Sequence, residues 1–285
     1  MQQYVVTAVL PAWNTSQTIQ QAIHSILAQD FSNFELLILD DGSTDETPNI
    51  VSSFKDQRIR LVSDGQRRGL ATRLNQAIDM ARGQYIARMD ADDVSFPERF
   101  GRQVAFLEKN PEIDLVGCRA VVFREKDEVV GLLPFAASHS TLCAKPWRNI
   151  PLPHPTWMGR VEWFRRHRYR LPEAMRAEDQ ELLLRSCPSS RFACLDDVLL
   201  GYRQGPFNLH KTLVARRSLL SAQVRIFSGR KEWLRALLAL IFCLAKAGVD
   251  VGSALPGCGR LYFMRMAEKV PPNVKATLHT CLAAS

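Results

Sequence analysis

Residues 83–93 read Gly83-Gln-Tyr-Ile-Ala-Arg-Met-Asp90-Ala-Asp92-Asp93, and this stretch decides the fold. Its apolar run, residues 85–89, predicts a short buried strand that ends in three carboxylates within four residues. Carboxylates this close repel one another, so they need a cation, a basic partner or full solvation. Oxygen ligands at this spacing suit Mg²⁺ or Mn²⁺, but a hydrated acidic turn that caps the next helix fits the same residues. The stretch alone leaves both interpretations open.

Upstream of this stretch, apolar runs alternate with helical patterns. Residues 5–10, 35–39 and 59–62 predict strands, and residues 18–29, 43–54 and 70–81 predict helices, the second of them starting with a capping box at Ser43 to Glu46. Near-continuous apolar strands are typical of a parallel sheet that is covered on both faces. The predicted fold class is therefore α/β, with a mostly parallel, doubly wound sheet.

Polar clusters follow three of the predicted strands at their carboxyl ends. They are Pro11-Ala12-Trp13-Asn14, Asp40-Asp41-Gly42-Ser43 and Asp90-Ala91-Asp92-Asp93. In doubly wound sheets, ligands bind at the carboxyl ends of the strands. Since independent solvated turns have no reason to converge on one edge, the sequence predicts a single site there.

The second half of the chain is less regular. Residues 115–123 and 129–133 predict strands around a charged turn at 125–128, residues 178–186 a helix, and residues 191–202 a pair of strands. From about Gly205 the chain is helical and basic, with 12 Lys and Arg against three acidic residues. We therefore expect a nucleotide-binding α/β domain over residues 1–205 and a basic helical C-terminal region over residues 206–285.

Charge and composition narrow the classes of partner. The net charge is +8, but residues 1–140 carry −5 and residues 141–285 carry +13. A basic second half suits phosphate groups or an anionic membrane surface, and nucleic acid is disfavoured because no recognised binding module accompanies the charge. The seven cysteines, odd in number and scattered, predict free thiols. Without a basic, apolar leader or a 20-residue apolar run, we expect a cytoplasmic protein.

The C-terminal region has two interpretations. Its basic residues flank an apolar helical face at Trp233, Leu234, Leu237, Leu238, Ile241 and Phe242. Such a helix can lie in a membrane interface, which would make the protein peripheral on the inner face of the membrane. It can equally pack on the domain as an appendage with a solvated basic face.

A family resemblance rests on several motifs in order. The segment VLPAWNTSQTIQQAIHSILAQDFSNFELLILDDGSTDET, a later Gly-Leu-Ala helix and GQYIARMDADD together resemble family 2 of the inverting glycosyltransferases, which have the nucleotide-sugar-binding GT-A fold. The resemblance covers roughly residues 4–205. It implies transfer of a sugar from a UDP-, GDP- or dTDP-sugar to a saccharide or lipid-linked saccharide, in the synthesis of cell-surface polysaccharide or lipid-linked oligosaccharide.

The resemblance also assigns the donor side. Asp92 would be the ligand of Mn²⁺ or Mg²⁺, with Asp90 beside the metal and the ribose, while Asp93 is expected to cap the next helix. Asp41 would contact the base, bordered by Pro11, Ala12 and Trp13, and Trp13 would either stack on the base or belong to the core. Arg68 would contact the diphosphate or simply be solvated.

On the acceptor side, an inverting transfer needs a carboxylate that removes the proton of the attacking hydroxyl. Glu178 and Asp179 could be an acidic pair favoured by a helix dipole, but the family's Glu-Asp motif assigns Asp179 as the base and Glu178 as its support. His154 begins a His-Pro-Thr segment that related bacterial members often carry at the acceptor side, followed here by Trp157, but a lone His can equally be structural. Arg203 follows Tyr202 as in the family, but Gln204 stands where a His is common.

Two other classes remain open. A sugar nucleotidyltransferase would show a Gly-rich phosphate loop after the first strand, where this chain has Pro11-Ala12-Trp13. A catalytically inactive nucleotide-sugar-binding protein would not need both Asp92 and Asp179. A processive polymer synthase is disfavoured, because transmembrane helices and a Gln-x-x-Arg-Trp motif are missing from the sequence.

Overall fold

The structure is a computed structural model that describes residues 4–124, 127–170, 176–255 and 268–283. Part of the charged turn predicted at 125–128, namely Glu125 and Lys126, lies outside the described residues. So do Cys258, Arg260 and Arg265 of the C-terminal region.

Nine strands of the described chain form one mixed sheet in the order β3-β2-β1-β4-β8-β6-β9-β5, with β7 paired to β6. Strands β1 to β4 are parallel, β8 runs antiparallel between β4 and β6, and β6 is parallel to β9. The strands are β1 (Val6–Ala12), β2 (Phe34–Asp40), β3 (Ile59–Ser63), β4 (Tyr85–Arg88), β5 (Val94–Ser95), β6 (Leu115–Phe123), β7 (Val129–Leu132), β8 (Met158–Arg160) and β9 (Phe192–Arg203).

Helices cover both faces of this sheet. They are α1 (Ile19–Leu27), α2 (Thr47–Ser53), α3 (Leu70–Met80), α4 (Arg99–Lys109), α5 (His139–Leu142), α6 (Val161–Arg166), α7 (Glu178–Ser186), α8 (Leu209–Gly229), α9 (Trp233–Ser253) and α10 (Pro272–Ala283). The α/β class, the mostly parallel sheet and the helical C-terminus predicted from the sequence are confirmed.

The strands are apolar throughout because each packs against helices on both faces. Along β1, Val6, Ala8 and Leu10 belong to the core under α1 and α4, while Val9 belongs to the core under α3 and α6. Successive side chains of a strand point to opposite faces, so a strand buried on both sides has no polar alternation.

Two local predictions are wrong. Residues 191–202 form one strand, β9, because Asp196 and Asp197 occupy an irregularity in its pairing with β6 and make no hairpin turn. The capping box at residues 43–46 does not form: α2 begins at Thr47, and Ser43 instead accepts a hydrogen bond from the Asn14 N–H at 2.9 Å. The acidic and hydroxyl side chains here tie the loop after β2 to the loop after β1.

The C-terminal helices share cores with the rest of the chain. Phe227 of α8 and Ala239 of α9 are buried in the core under α3 and α6. Val274, Leu278 and Leu282 of α10 pack with Val94 and Phe123 in a third core. The domain boundary at residue 205 stays a prediction, because a shared core does not show which segment folds alone.

The described cysteines are free thiols, as predicted. Cys143 and Cys187, far apart in the sequence, nevertheless lie with His139 in one cluster whose ligand atoms are within 4.8 Å of one another.

Candidate active site

The ends of β1 and β2 meet because the two strands are in register, with Ala12 opposite Asp40. Pro11 and Ala12 are buried at the end of β1, and the Ala12 carbonyl accepts a hydrogen bond from the Asp41 N–H at 2.8 Å. Asp40 accepts hydrogen bonds from the Ser43 N–H at 3.2 Å and the Ser63 hydroxyl at 2.7 Å, so its carboxylate holds the turn. The contacts of the Asp40 carboxylate therefore lie within the turn, and Asp41 is the candidate residue of the site.

Asp41 organises the loop before α3. Its carboxylate accepts hydrogen bonds from the N–H groups of Arg68 at 2.7 Å and Gly69 at 3.0 Å, and from the buried Arg73 guanidinium at 3.0 Å. The loop passes so close that a Cβ on Gly42 would lie 2.8 Å from the Arg67 nitrogen. Arg73 was not singled out from the sequence, because an arginine in a helical pattern is normally solvated.

Trp13 is 42% exposed, so of its two interpretations the one that places it in the core is wrong. The Arg67 guanidinium lies 3.7 Å from the centre of its ring, which is the distance of a cation–π contact. Arg68 is half exposed on the same rim, and its guanidinium pairs with Asp64 at 2.8 Å. The rim thus offers one flat aromatic surface and two cationic side chains.

Asp90, Asp92 and Asp93 bring carboxylate oxygens within 4.8 Å of one another. Burial and the neighbouring charge of Asp90 raise the pKa of Asp92 to about 6. Burial, followed by the charges of Asp90 and Asp92, raises the pKa of Asp93 well above its usual range. The surroundings therefore do not compensate three ionised carboxylates, and a bound cation would reduce the repulsion between them.

The expectation that Asp93 caps the next helix is wrong. Helix α4 begins at Arg99, and Asp93 precedes β5 instead. One oxygen of Asp93 accepts a hydrogen bond from the Arg203 N–H at 2.8 Å, and the other is buried without a partner among the described residues. Such an unpaired buried oxygen needs either a proton or a cation.

Arg203 lies behind the acidic turn and contacts it directly. Its Nε donates to the Asp92 carbonyl at 2.9 Å, and its guanidinium stacks on Phe123 at 4.5 Å. It also donates to Gln21 of α1. The structure places this residue where it holds the acidic turn in shape, whereas Tyr202 and Gln204 on either side of it line the cavity described next.

A cavity of about 550 Å³, here called the acceptor cavity, opens beside the acidic turn. Asp90, His154 and Asp179 all line it, so residues from three distant parts of the sequence meet there. Gln204 lines it as well, where the family often has a His. The Pro11, Ala12, Trp13, Asp41 and Arg68 group lies at the neighbouring strand ends and is not part of this cavity's described lining.

Arg88, like Arg73, is a residue of the site that the sequence motifs do not single out. Its buried guanidinium forms a two-pronged ion pair with Asp90, with one bond at 2.8 Å, and it also lines the acceptor cavity. Its positive charge lies near both carboxylate groups, since it offsets part of the rise in pKa that burial causes at Asp92 and Asp179. A lone arginine inside an apolar strand was the available signal.

Glu178 and Asp179 open α7, but only Asp179 is among the residues that line the acceptor cavity. Burial raises the pKa of Asp179, and Gln180 donates a long hydrogen bond to its carboxylate at 3.4 Å. Burial and the charge of Asp179 raise the pKa of Glu178 to about 7. A raised carboxylate pKa makes a stronger base, which suits proton abstraction near neutral pH.

His154 and Trp157 sit differently from one another. His154 Nε2 is 2.7 Å from the Tyr169 hydroxyl, and burial together with the charge of Arg88 lowers its pKa well below the usual range. Trp157 is fully buried, its ring lies against His154, and its indole N–H donates to the Leu152 carbonyl at 3.1 Å. A neutral His154 thus faces the cavity, and Trp157 supports it from the core.

Comparison with known proteins decides the family. The model of glycosyl transferase family 2 matches residues 7–168, which include the strand ends, the acidic turn and His154. The chain belongs to glycosyl transferase family 2. This family assignment, predicted from the motif order, is confirmed.

Two relatives and one solved structure show how far the similarity extends. Putative glycosyltransferase EpsE of Bacillus subtilis is 36% identical over 63% of this chain and 66% of its own length. The Escherichia coli enzyme WfgD, named UDP-Glc:alpha-D-GlcNAc-diphosphoundecaprenol beta-1,3-glucosyltransferase, is 36% identical over 39% of this chain and 44% of its own. The matches thus span about half to two thirds of the relatives.

The mannosyltransferase PcManGT of Pyrobaculum calidifontis, solved with GDP-Man and Mn²⁺, superposes with a TM-score of 0.62. The superposition covers 98% of this chain and 85% of that one at 21% identity, a level that shows the fold alone. The mixed sheet of this family 2 member is the GT-A fold.

The acidic turn fits a divalent cation on its own chemistry. It offers only oxygen ligands, a buried carboxylate oxygen without a partner among the described residues, and raised carboxylate pKa values. Mg²⁺ and Mn²⁺ prefer such ligands.

This fit predicts a pH-dependent stabilisation by Mn²⁺. A carboxylate whose pKa is raised on folding favours the folded state below its unfolded pKa, and that stability is lost as pH rises through the folded value, about 6 for Asp92. Metal binds the ionised form, so Mn²⁺ should raise the melting temperature by at least about 3 °C at pH 8 and by little at pH 5.5. Scanning calorimetry with EDTA as reference measures this, and equal shifts at both pH values would contradict it.

Proposed function

We propose that this chain transfers a sugar from a nucleotide-sugar to an acceptor hydroxyl with inversion at the anomeric carbon, and that the reaction depends on a divalent cation. The observation that carries the proposal is the shared lining of the acceptor cavity by Asp90 of the acidic turn and Asp179 of α7. An inverting transfer needs a leaving-group site and a base on opposite sides of the reacting carbon, and we assign Asp90 of the acidic turn to the first and Asp179 to the second.

On the donor side, Asp92 is the proposed metal ligand, supported by Asp90 and by the unpaired oxygen of Asp93. When bound, the cation supplies charge stabilisation for the diphosphate leaving group. Arg88 neutralises Asp90 so that the turn can hold a cation and a diphosphate together. Arg203 fixes the backbone of Asp92 through its hydrogen bond of 2.9 Å.

The base of the nucleotide is proposed to lie along Trp13, between Pro11-Ala12 and the loop that Asp41 holds. In this structure the Asp41 carboxylate already accepts bonds from the loop and from Arg73. Its remaining acceptor capacity can take one N–H of a base. Arg67 and Arg68 then lie on the rim where they can contact the ribose or the diphosphate.

On the acceptor side, Asp179 is the proposed base. Its carboxylate takes the proton of the attacking hydroxyl while the bond from the anomeric carbon to the leaving oxygen breaks. His154 is neutral and can hydrogen-bond to the acceptor sugar without adding charge. Glu178 stays outside the described cavity lining and is proposed to tune Asp179 electrostatically.

The alternatives have less support. A nucleotidyltransferase needs a Gly-rich phosphate loop after β1, but the chain has Pro11 and Ala12 inside the strand itself. An inactive binding protein has no need for a buried carboxylate of raised pKa across the cavity from the acidic turn.

The test is a thermal-shift screen of UDP, GDP and dTDP with and without Mn²⁺, followed by turnover of the matching nucleotide-sugars. We expect one nucleoside diphosphate to stabilise the protein only when Mn²⁺ is present. No stabilisation by any nucleotide with Mn²⁺, and no release of nucleoside diphosphate from any nucleotide-sugar, would refute the proposed function.

The acceptor is proposed to be a saccharide on a lipid carrier at an anionic membrane surface. No helix within the described ranges is long and apolar enough to span a bilayer. Helix α9 instead exposes an apolar stripe along its length: Trp233, Leu234, Leu237, Leu240, Ile241, Leu244 and Val251. The exposed Lys231 and Arg235 lie at the start of this helix. A helix with an exposed apolar stripe and basic residues at its start can bind in the interface of anionic lipids.

Membrane binding through α9 can be tested by adding charge to the stripe. Leu237→Glu combined with Leu244→Glu should weaken binding to phosphatidylglycerol vesicles at least about tenfold, because two apolar side chains leave the interface. Ala105→Glu, at an exposed position of α4, is the matched control and should bind like the unaltered protein. Vesicle sedimentation measures the affinity. Unchanged binding by the double variant would exclude this surface.

A further inference from the structure

A second cavity of about 410 Å³ shares Asp179 with the acceptor cavity, and no residue of the acidic turn is in its described lining. We call it the basic cavity, and its described lining includes Arg176, Lys211, Arg216 and Lys246. Asn149, Asp179, Gln180 and Lys246 line both cavities, whereas the acidic turn contributes only to the acceptor cavity. A ligand that reaches Asp179 from the acceptor cavity can therefore continue into the basic cavity.

The charges in the basic cavity are unbalanced. Asp179 is the only acidic residue in its described lining. Arg216 is compensated, because it forms a two-pronged ion pair with the buried Asp250. Lys246 donates to the Arg148 carbonyl at 3.2 Å, which holds its ammonium group at the wall that the two cavities share. Arg176 and Lys211 are exposed at the rim, and no ion pair to either occurs among the described residues.

A saccharide acceptor gives no reason for this excess. Sugar hydroxyls are recognised by neutral or acidic hydrogen-bonding groups, and cations placed beyond the base would do nothing for a neutral ligand. Lys and Arg side chains at the wall of a cavity are the groups that bind phosphate oxygens. The cavity therefore suits an anionic group attached to the acceptor sugar.

We propose that the basic cavity binds the phosphate or diphosphate through which the acceptor saccharide is attached to its lipid carrier, an inference that rests on the proposed function. Helix α9 supplies Lys246 to the cavity, and the same helix exposes Leu244 and Val249. A lipid chain that leaves the phosphate can thus follow α9 to the apolar stripe. The sugar next to the phosphate is placed at Asp179, so the transferred sugar is added close to the lipid-linked end.

The test measures binding of farnesyl diphosphate by calorimetry in EDTA, where the donor site lacks its metal. Lys211→Ala and Arg176→Ala should each weaken binding about tenfold, since each removes a charge-assisted hydrogen bond. Both side chains are exposed, so the fold should be intact by circular dichroism. Lys275→Ala, at an exposed lysine of α10, and Asp92→Asn should bind farnesyl diphosphate like the unaltered protein.

Further measurements distinguish binding of the diphosphate from binding of the lipid chain or of a lipid headgroup. Farnesol, which has the chain without the phosphates, should bind much more weakly than farnesyl diphosphate, and inorganic pyrophosphate should compete. The proposal would be overturned by equal affinity of farnesol, or by unchanged affinity in the Lys211 and Arg176 variants. It would also be overturned if phosphatidylglycerol vesicles displaced farnesyl diphosphate and the same variants weakened that displacement. Nucleoside diphosphate binding with Mn²⁺, measured on the same variants, reports separately on the donor site. If no nucleoside diphosphate binds with Mn²⁺, the proposed function is refuted, whereas the assignment of a phosphate site to the basic cavity is not.

Discussion

Asp179→Asn should abolish sugar transfer while the protein still binds nucleoside diphosphate with Mn²⁺. General-base catalysis contributes about 10²- to 10⁴-fold, and an amide cannot accept the proton of the acceptor hydroxyl. Asn has nearly the same shape and can still accept the hydrogen bond from Gln180. Folding should therefore be preserved, and removing a buried charge of raised pKa should increase stability above neutral pH. Nucleoside diphosphate release in a coupled assay measures the loss.

Two controls make this result specific. Glu178→Gln neutralises the acidic side chain next to Asp179 in sequence, which is outside the described lining of the acceptor cavity, so activity should stay within about tenfold. Asp197→Asn alters an exposed carboxylate that pairs with Arg102 at 3.3 Å, and it should have no effect. If Glu178→Gln is inactive and Asp179→Asn active, the base assignment is reversed.

The pH dependence of turnover should reflect the ionisation of the same residue, Asp179. The base acts when it is ionised, and burial raises the pKa of Asp179 above its usual range. Turnover should therefore fall as pH decreases through this raised value, at a higher pH than an exposed aspartate would give. A pH–rate profile with saturating Mn²⁺ and donor measures it, and a flat profile down to pH 4 would contradict the assignment.

Asp92→Asn should remove the dependence of nucleotide affinity on Mn²⁺. Loss of a residue that only supports a metal ligand costs about 10- to 100-fold in metal affinity, so loss of the ligand itself should cost more than about 100-fold. Titration calorimetry of nucleoside diphosphate, with and without Mn²⁺, measures both affinities. The variant should bind equally weakly in the two conditions.

The same variant has an internal control for folding. Asp92 is one of three mutually repelling carboxylates, so its neutralisation should stabilise the protein in EDTA at pH 8. Asp92→Asn should therefore melt at a higher temperature than the unaltered protein while failing to respond to Mn²⁺. A variant that still gains nucleotide affinity from Mn²⁺ would show that Asp92 is not the ligand.

The parallel half of the fold could be predicted because its sequence has little freedom. Strands β1, β2 and β4 are buried on both faces, so their apolar runs are nearly unbroken. Strands β5 and β8 have only two and three residues, which is too short for a periodic signal. Their positions depend on antiparallel pairing with β9 and β4, and such partners are not visible from local pattern.

The residues of the site also differ in how far the sequence can identify them. The acidic residues at the strand ends could be singled out, since carboxylates after apolar runs are conspicuous. The roles of Arg88 and Arg73 depend on burial against Asp90 and Asp41, which only the folded chain shows. A lone arginine in an apolar strand marks Arg88 as unusual but does not predict this ion pair. The basic cavity likewise forms from α7, α8 and α9, whose residues are far apart in the sequence.

The most direct test of the central claim is the stereochemistry of donor hydrolysis with Mn²⁺, followed by nuclear magnetic resonance before the free sugar mutarotates. We expect the first anomer released to have the configuration opposite to that of the donor, and Asp179→Asn to release almost none. A first product with retained configuration, or release that persists in Asp179→Asn, would contradict it.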